Sequence, residues 1–267
     1  MNNEYQKKYW NDNTEKYTDA MENDYHKHRL NVIWSLIPRE LLSKNKNIFD
    51  FGCGNAILFD PFIQSGANIT GIDISGDMIE SANKYLSSKG HPKDIAFQGD
   101  VTYLKEIPSN SLDAILSFNV LAYLTDQEDD LFYNEAKRIV KPGGFLIVTH
   151  SNELFDMFSM NERTLQFYNK YFLKTKYKYT AFPTYFSTLC RPLTTYNIRE
   201  NPLSYKHKLS EFGFKEIRQE FINMHEAPPR YLGENRTYPD TLAISEKDRW
   251  KLIFTCSTFG SCSIKEQ

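Results

Sequence analysis

Asn47-Ile48-Phe49-Asp50-Phe51-Gly52-Cys53-Gly54-Asn55-Ala56 is the stretch that decides how the rest of this chain is read. A short apolar run ends in an acid and two glycines, and a helix-compatible segment, Leu58 to Gln64, follows at once. In α/β sheets, ligands bind where strands give way to helices, at the carboxyl edge. Glycines at that edge remove the Cβ atoms that would hold a ligand off the backbone. A strict dinucleotide fingerprint needs a third glycine three residues after Gly54, and Ile57 stands there instead. The spacing is acid-x-Gly-x-Gly-x-Ala.

Outward from this stretch the hydrophobic period alternates. Short β-like runs lie at Ile48–Phe51, Ile69–Ile74, Ile95–Gln98, Ala114–Phe118 and Phe145–Thr149. Helical patterns separate most of them, at Leu58–Ser65, Asp77–Ser88 and Asp126–Val140. Strands alternating with helices predict an α/β fold with a doubly wound, mostly parallel sheet. Thr125 and Glu128 have capping-box spacing, and Lys141-Pro142-Gly143-Gly144 ends the helix and turns into the next strand. Before the sheet, residues 1–45 mix charged and aromatic residues at helical spacing, with an apolar stripe at Trp34, Leu36, Ile37, Leu41 and Leu42. After it, residues 152–200 break the alternation and are crowded with aromatics. A structureless loop of that length is uncommon in a compact domain, so an organised cap over the ligand edge is expected. A homodimer surface is the alternative, since aromatics also mark interfaces. Further on, Leu203–Phe212 reads as a helix, and Phe214–Phe221 and Leu252–Ser257 read as strands.

Length and composition bound the rest. The 267 residues suit a single domain, 1–267, with 1–45 as a helical N-terminal segment and 152–200 as the cap. A net charge of -2 gives no electrostatic reason to expect nucleic acid. The four cysteines are scattered with no CxxC pair, which predicts reduced thiols in a cytoplasmic setting and no metal centre. The polar start and the lack of a long apolar run predict neither a secretory signal nor a membrane span.

Further residues sit at the predicted strand ends. Asp73 closes Ile69-Thr70-Gly71-Ile72-Asp73, where a carboxylate can accept hydrogen bonds from both hydroxyls of a ribose. Asp100 lies in Gln98-Gly99-Asp100-Val101, and Ser117-Phe118-Asn119-Val120-Leu121 follows the fourth strand. Together with the glycine stretch, this ordered set resembles the class I S-adenosylmethionine-dependent methyltransferases, with Ala56 where many members carry a third glycine. The resemblance covers residues 45–150 well. It implies a Rossmann-like, seven-stranded sheet with an antiparallel C-terminal strand and S-adenosylmethionine as cofactor. It further implies a cofactor site made of Tyr17, Asp50, Gly52, Cys53, Gly54, Asp73, Ile74, Met78, Asp100, Val101 and Asn119. Asp100 and the Val101 N–H would meet the adenine, Met78 would pack on its face, and Tyr17, in the aromatic-rich first helices, would lie near the methionine part.

Methyl transfer from a sulfonium is a direct displacement in which the protein aligns the reactants and excludes water. A hydroxyl acceptor gains from a general base. His150, after the fifth predicted strand, and His225, after the sixth, are the candidates, because imidazole titrates near neutrality. Tyr123, Asn152 and Glu153 are candidates for the substrate side. His26, His28 and Arg29 add positive charge that suits an anion, and a solvated helix face accounts for them equally. The run His150–Asp156, with Asn201-Pro202 and His225…Pro228-Pro229, is similar to bacterial methyltransferases of surface-polysaccharide and sugar modification. That similarity implies a small-molecule acceptor such as a sugar, a sugar nucleotide or a phosphorylated metabolite. Two other classes stay open: a non-catalytic cofactor-binding scaffold, because fold does not fix function, and an NAD-dependent oxidoreductase, which Ile57 disfavours.

Overall fold

The computed structural model describes residues 3–20, 23–159, 162–171, 198–228 and 238–267. Two helices, α1 (Asn3–Ala20) and α2 (Asp24–Leu36), precede the first strand, β1 (Asn47–Phe51). Then come α3 (Phe59–Ser65), β2 (Asn68–Asp73), α4 (Gly76–Ser88) and β3 (Ala96–Gln98). A 3-10 turn, Val101–Glu106, leads to β4 (Leu112–Ser117), α5 (Asp126–Ile139) and β5 (Val140–Ser151). The chain continues through α6 (Phe155–Ser159), α7 (Glu162–Tyr171), α8 (Tyr205–Glu211), β6 (Phe214–Met224), α9 (Leu252–Thr255) and β7 (Cys256–Lys265).

The seven strands form one sheet in the order β3-β2-β1-β4-β5-β7-β6. Strands β1 to β5 are parallel, and β7 runs antiparallel to both of its neighbours. The chain winds outward from β1 through β2 to β3, then returns past β1 to β4. That reversal leaves a crevice at the carboxyl ends of β1 and β4, where a doubly wound sheet binds ligands. The central strands are buried on both faces, as expected for parallel strands covered by helices. On one face Ile48, Ile69 and Ala114 pack with Ile33, Phe59 and Phe62. On the other, Phe49, Ile115 and Leu146 pack with Phe132, Tyr133 and Leu209.

Local signals act where the sequence places them. Thr125 and Glu128 form a complete capping box on α5, which also carries acids in its first turn and Lys137 and Arg138 in its last. The long N-terminal arm is held by tertiary contacts. Ser75 Oγ at the start of α4 donates to Asn11 Oδ1 of α1 at 2.7 Å. Helix α2 approaches β7 so closely that a Cβ on Gly260 would lie 2.4 Å from Leu36 Cδ1.

One expected element is different. Leu252–Thr255 is a helical turn, and the last strand starts only at Cys256. A short apolar run is compatible with either state, and periodicity alone cannot separate them. Of the expected cap, α6 and α7 are described; residues 172–197, which hold most of its aromatics and lysines, lie outside the described residues.

Candidate cofactor and acceptor site

A cavity of about 380 Å³ opens at the crevice, walled by the ends of β1, β2 and β4 on one side and by α1 and α2 on the other. A smaller cleft of about 50 Å³ adjoins it, shared by Tyr17, Arg29, Asp50, Cys53 and Asn119.

The strand-end wall is built by backbone geometry. Gly52 and Cys53 both donate their N–H to the Ile72 carbonyl at 2.8 Å, which turns the chain sharply out of β1. Gly52 has φ +77, and a Cβ there would sit 2.1 Å from Val120 Cγ2, so only glycine fits. Gly54 has φ +53, and its absent Cβ would meet nothing within 4 Å, so the backbone lies open to a ligand. Ala56 also has positive φ, 56°. The position that many class I sequences give to a third glycine is thus left-handed here with an alanine in it.

Asp73 ties the first two strand ends together. Its Oδ2 accepts from the Gly54 N–H at 3.0 Å and its Oδ1 from the Ser75 N–H at 2.9 Å. Burial pushes the Asp73 carboxyl up to about 6, even with these amides favouring the anion. Burial and the neighbouring Asp73 push Asp50 up to about 8. Burial also raises the Cys53 thiol far above its usual range, so it is no nucleophile. Asp100 caps the following 3-10 turn, its Oδ1 accepting from the Thr102 N–H at 2.9 Å. At the end of β4, Asn119 takes φ 59 and its N–H donates to Thr149 Oγ1 at 2.8 Å.

All eleven sequence-expected cofactor positions border these two openings: Tyr17, Gly52, Gly54, Asp73, Ile74, Met78, Asp100, Val101 and Asn119 line the large cavity, and Asp50 the small cleft. The eleventh, Cys53, is buried and also borders the cleft. Tyr123 lines the cavity too, its ring edge-on to Trp10 at 5.3 Å.

The other candidates sit elsewhere. His150 lies inside β5, 2% exposed, on the opposite sheet face from the cavity. Its Nε2 is 3.2 Å from the Tyr133 hydroxyl, which is 2.7 Å from that of Tyr205. Burial and Lys208 hold the His150 imidazole well below its usual range. Side chains alternate along a strand, so Thr149 and Ser151 line the cavity while His150 points away. Strand-end placement located the edge and missed the parity. His225 packs against Phe155 and Tyr238, with ring centroids 4.9 and 5.5 Å away, and does not line the cavity. Asn152 is fully buried and bonds the Ile253 and Cys256 carbonyls, and Glu153 bonds Lys170 and Tyr171. Both secure α6, α7 and α9 rather than face the cavity.

The structure brings in residues that the sequence reading left out or placed loosely. Tyr9, Trp10, Asn13 and Lys16 of α1 and Tyr25, His26 and Arg29 of α2 all line the cavity. The Arg29 guanidinium donates to the Tyr17 hydroxyl at 3.0 Å. His28 instead faces Asp240 and Thr241. The helical spacing of 26 and 29 could have paired these two residues, but nothing local says which face docks inward.

Comparison with known proteins agrees with this architecture. Residues 49–148 match the family model described as a methyltransferase domain. A ubiquinone biosynthesis O-methyltransferase of Bradyrhizobium sp. (strain ORS 278) is 30% identical over 114 residues, 42% of this chain and 43% of that protein. Another, from Paracidovorax citrulli, is 26% identical over 190 residues, 68% of this chain and 77% of that protein. The chain thus matches less than half the length of the first of these relatives. Their names do not support the surface-polysaccharide similarity. Among solved structures, magnesium protoporphyrin IX methyltransferase from Synechocystis PCC 6803 with bound SAH superposes with a TM-score of 0.64 at 14% identity, covering 99% of this chain and 100% of that one. A SAM-dependent methyltransferase from Archaeoglobus fulgidus gives 0.56 at 17% identity, covering 93% and 99%. At such identities the likeness is one of fold. The sequence match and the glycine-rich crevice between β1 and β4 together give residues 49–148 the features of a class I, S-adenosylmethionine-dependent methyltransferase domain.

Proposed function

We propose that this chain transfers a methyl group from S-adenosylmethionine to a hydroxyl of a compact acceptor that carries a flat apolar face. The observation that carries the reading is the two-sided cavity. One wall presents backbone and carboxylates at four strand ends, and the other presents Tyr9, Trp10, Tyr17, Tyr25 and Tyr123.

The cofactor wall fits the group on chemical grounds. Two buried carboxyls with raised pKa gain most from ligand donors that restore their charge. An ammonium beside Asp50 and ribose hydroxyls at Asp73 are such donors. Arg29, sharing the small cleft with Asp50, suits the carboxylate of the same amino-acid moiety. Gly54 leaves room for close approach, Met78 and Val101 give the adenine apolar surface, and Asp100 gives it an acceptor. When bound, the cofactor supplies an electrophilic methyl group on a sulfonium. The chain binds and orients both partners, excludes bulk water with α1 and α2, and needs no metal to do so.

The acceptor wall is aromatic, with hydroxyls of Ser151 and Thr258 and the charged ends of Lys16 and Glu128 around it. Rigid aromatic rings bind flat apolar surface, and the polar ends orient a hydroxylated ring. A phenolic acceptor fits this wall better than the phosphorylated sugar that the sequence resemblance implied. The names of the O-methyltransferase relatives also support oxygen as the acceptor atom. One domain carrying both walls, with α6 and α7 as the start of a cap, belongs to the same proposal.

The test is calorimetric titration with S-adenosylmethionine, S-adenosylhomocysteine and NAD, followed by a methylation screen of dihydroxybenzoates and sugar phosphates. Binding of the two sulfur nucleosides and turnover of a phenol is the expected result. Binding of NAD alone would replace the reading with an oxidoreductase. Tight nucleoside binding with turnover of sugar phosphates and no phenol would return the acceptor to the sugars.

A further inference from the structure

On the acceptor wall, His26 is built into the cavity with a ring nitrogen unmatched. Asn23 caps α2, its side chain accepting from the His26 N–H at 3.0 Å, which fixes the first turn of the helix. The imidazole is then held edge-on between Tyr17 (centroids 5.6 Å apart, rings at 81°) and Tyr25 (5.1 Å, 79°). The side chain is 8% exposed, and its Nδ1 is buried with no hydrogen-bond partner among the described residues. Buried polar atoms are normally paired, and an exception calls for a reason such as a ligand or a catalytic duty. His26 lines the cavity and only its Nδ1 is buried without a partner, so Nε2 is the ring nitrogen that can meet a molecule there. His150 and His28 offer no such atom there, since both are engaged on other faces.

We propose that His26 is a catalytic residue on the acceptor side, receiving at Nε2 the proton of the hydroxyl that becomes methylated. The inference rests on the methyl-transfer reading above. The acceptor oxygen gains the methyl carbon, the carbon–sulfur bond breaks with its electron pair left on sulfur, and the hydroxyl proton ends on the imidazole. No oxidant, metal or further reactant enters the balance.

Electrostatics supports the geometry. The charged side chains lining the cavity, among the described residues, are Lys16 and Arg29 on the helices, Asp73 and Asp100 at the strand ends, and Glu128 on α5. Burial and the adjacent Arg29 hold His26 at about 4, so the ring is neutral and able to accept a proton at neutral pH. A base that weak is an inefficient partner for a hydroxyl, because proton transfer works best with a pKa near the working pH. Burial is the larger cause of that depression and Arg29 the smaller, so a carboxylate docked on Arg29 offsets part of it. Cofactor loading therefore strengthens the base through a carboxylate held one helical turn from it, on the same helix.

The experiment is an NMR titration of the full chain labelled with ¹⁵N-histidine, from about pH 4 to about pH 8, with and without S-adenosylhomocysteine. It needs no known acceptor. The expected result is a His26 titration that moves upward by about one pH unit on loading. A titration unmoved in a complex that demonstrably forms overturns the inference. Failure of the nucleoside to bind at all instead counts against the methyl-transfer reading. His26→Gln is then compared with the wild type on the phenol that the screen turns over. Turnover should fall by about 100-fold, with the loss smaller at low pH, where the wild-type imidazole is already protonated. S-adenosylhomocysteine affinity within about twofold of wild type shows that the variant is folded. Unchanged turnover, or an equal loss at every pH, overturns the assignment.

Discussion

The two walls of the cavity are built from different kinds of information. The strand-end wall is local: each of its groups sits at the end of a strand or in the first turn of the next helix. Once the strands are in register, the turns, left-handed glycines and carboxylates arrive with them. The acceptor wall comes from α1 and α2, more than ten residues before β1, and from the ends of β5 and β7. Its side chains meet the cavity only because α1 docks on α4 and α2 packs against β6 and β7. A strand end read with its side-chain parity therefore tells what a residue faces, whereas a helix docked from afar does not.

The largest expected break in that comparison is Gly52→Ala. The new Cβ would meet Val120 at a left-handed position, so the loop must move and both walls lose their alignment. S-adenosylhomocysteine binding should fall by more than about 100-fold, with a clear drop in melting temperature. Gly54→Ala is the control: open space surrounds its Cβ, so stability should drop by only about 1 kcal/mol while nucleoside binding still suffers. Equal stability losses in the two variants would mean that the Val120 contact does not set the loop.

Asp73→Ala comes next. It strands the Gly54 and Ser75 amides and removes the proposed ribose contact, which should weaken nucleoside binding by about 1–3 kcal/mol. Wild-type affinity in calorimetry would remove Asp73 from that role.

His150→Ala separates the two sheet faces. It takes one partner from the Tyr133 hydroxyl, which keeps Tyr205, and opens a buried gap, costing about 1–3 kcal/mol of stability. Turnover per folded molecule should stay close to wild type, because the ring points away from the cavity. A selective loss of turnover without loss of stability would restore His150 as a base.

The smallest effect is a dependence on pH. Asp50 and Asp73 sit at about 8 and about 6 in the ligand-free fold, against an ordinary value near 3.8. Between those limits the folded chain holds protons that the unfolded chain releases, so ligand-free stability declines as pH rises from about 4 to about 8. S-adenosylhomocysteine favours the ionised carboxyls, so its affinity should rise over the upper part of that window, with protons released on binding. Calorimetry in two buffers of different ionisation enthalpy reads this directly. Affinity flat from about pH 6 to about pH 8 would mean that neither carboxyl meets the ligand.

What the sequence determined by itself is the parallel core and the layout of the strand-end wall. The alternation of strand and helix patterns, the capping box at Thr125 and the spacing of Asp50, Gly52 and Gly54 are short-range features. Backbone geometry turns them into structure with little help from distant residues. What only the tertiary structure decided is which side chains line the rest of the cavity. His150 had the right strand end and the wrong parity. Asn152 and Glu153 were absorbed in holding α6, α7 and α9. Leu252–Thr255 became a helical turn because a four-residue apolar run has no period of its own. Tyr25, His26 and Arg29 reached the cavity through the docking of α2, with Gly260 allowing its close approach. Strand ends inherit their surroundings from neighbours in the sheet, but a helix chooses its inward face by long-range packing, and that choice leaves no mark in any one short stretch of sequence.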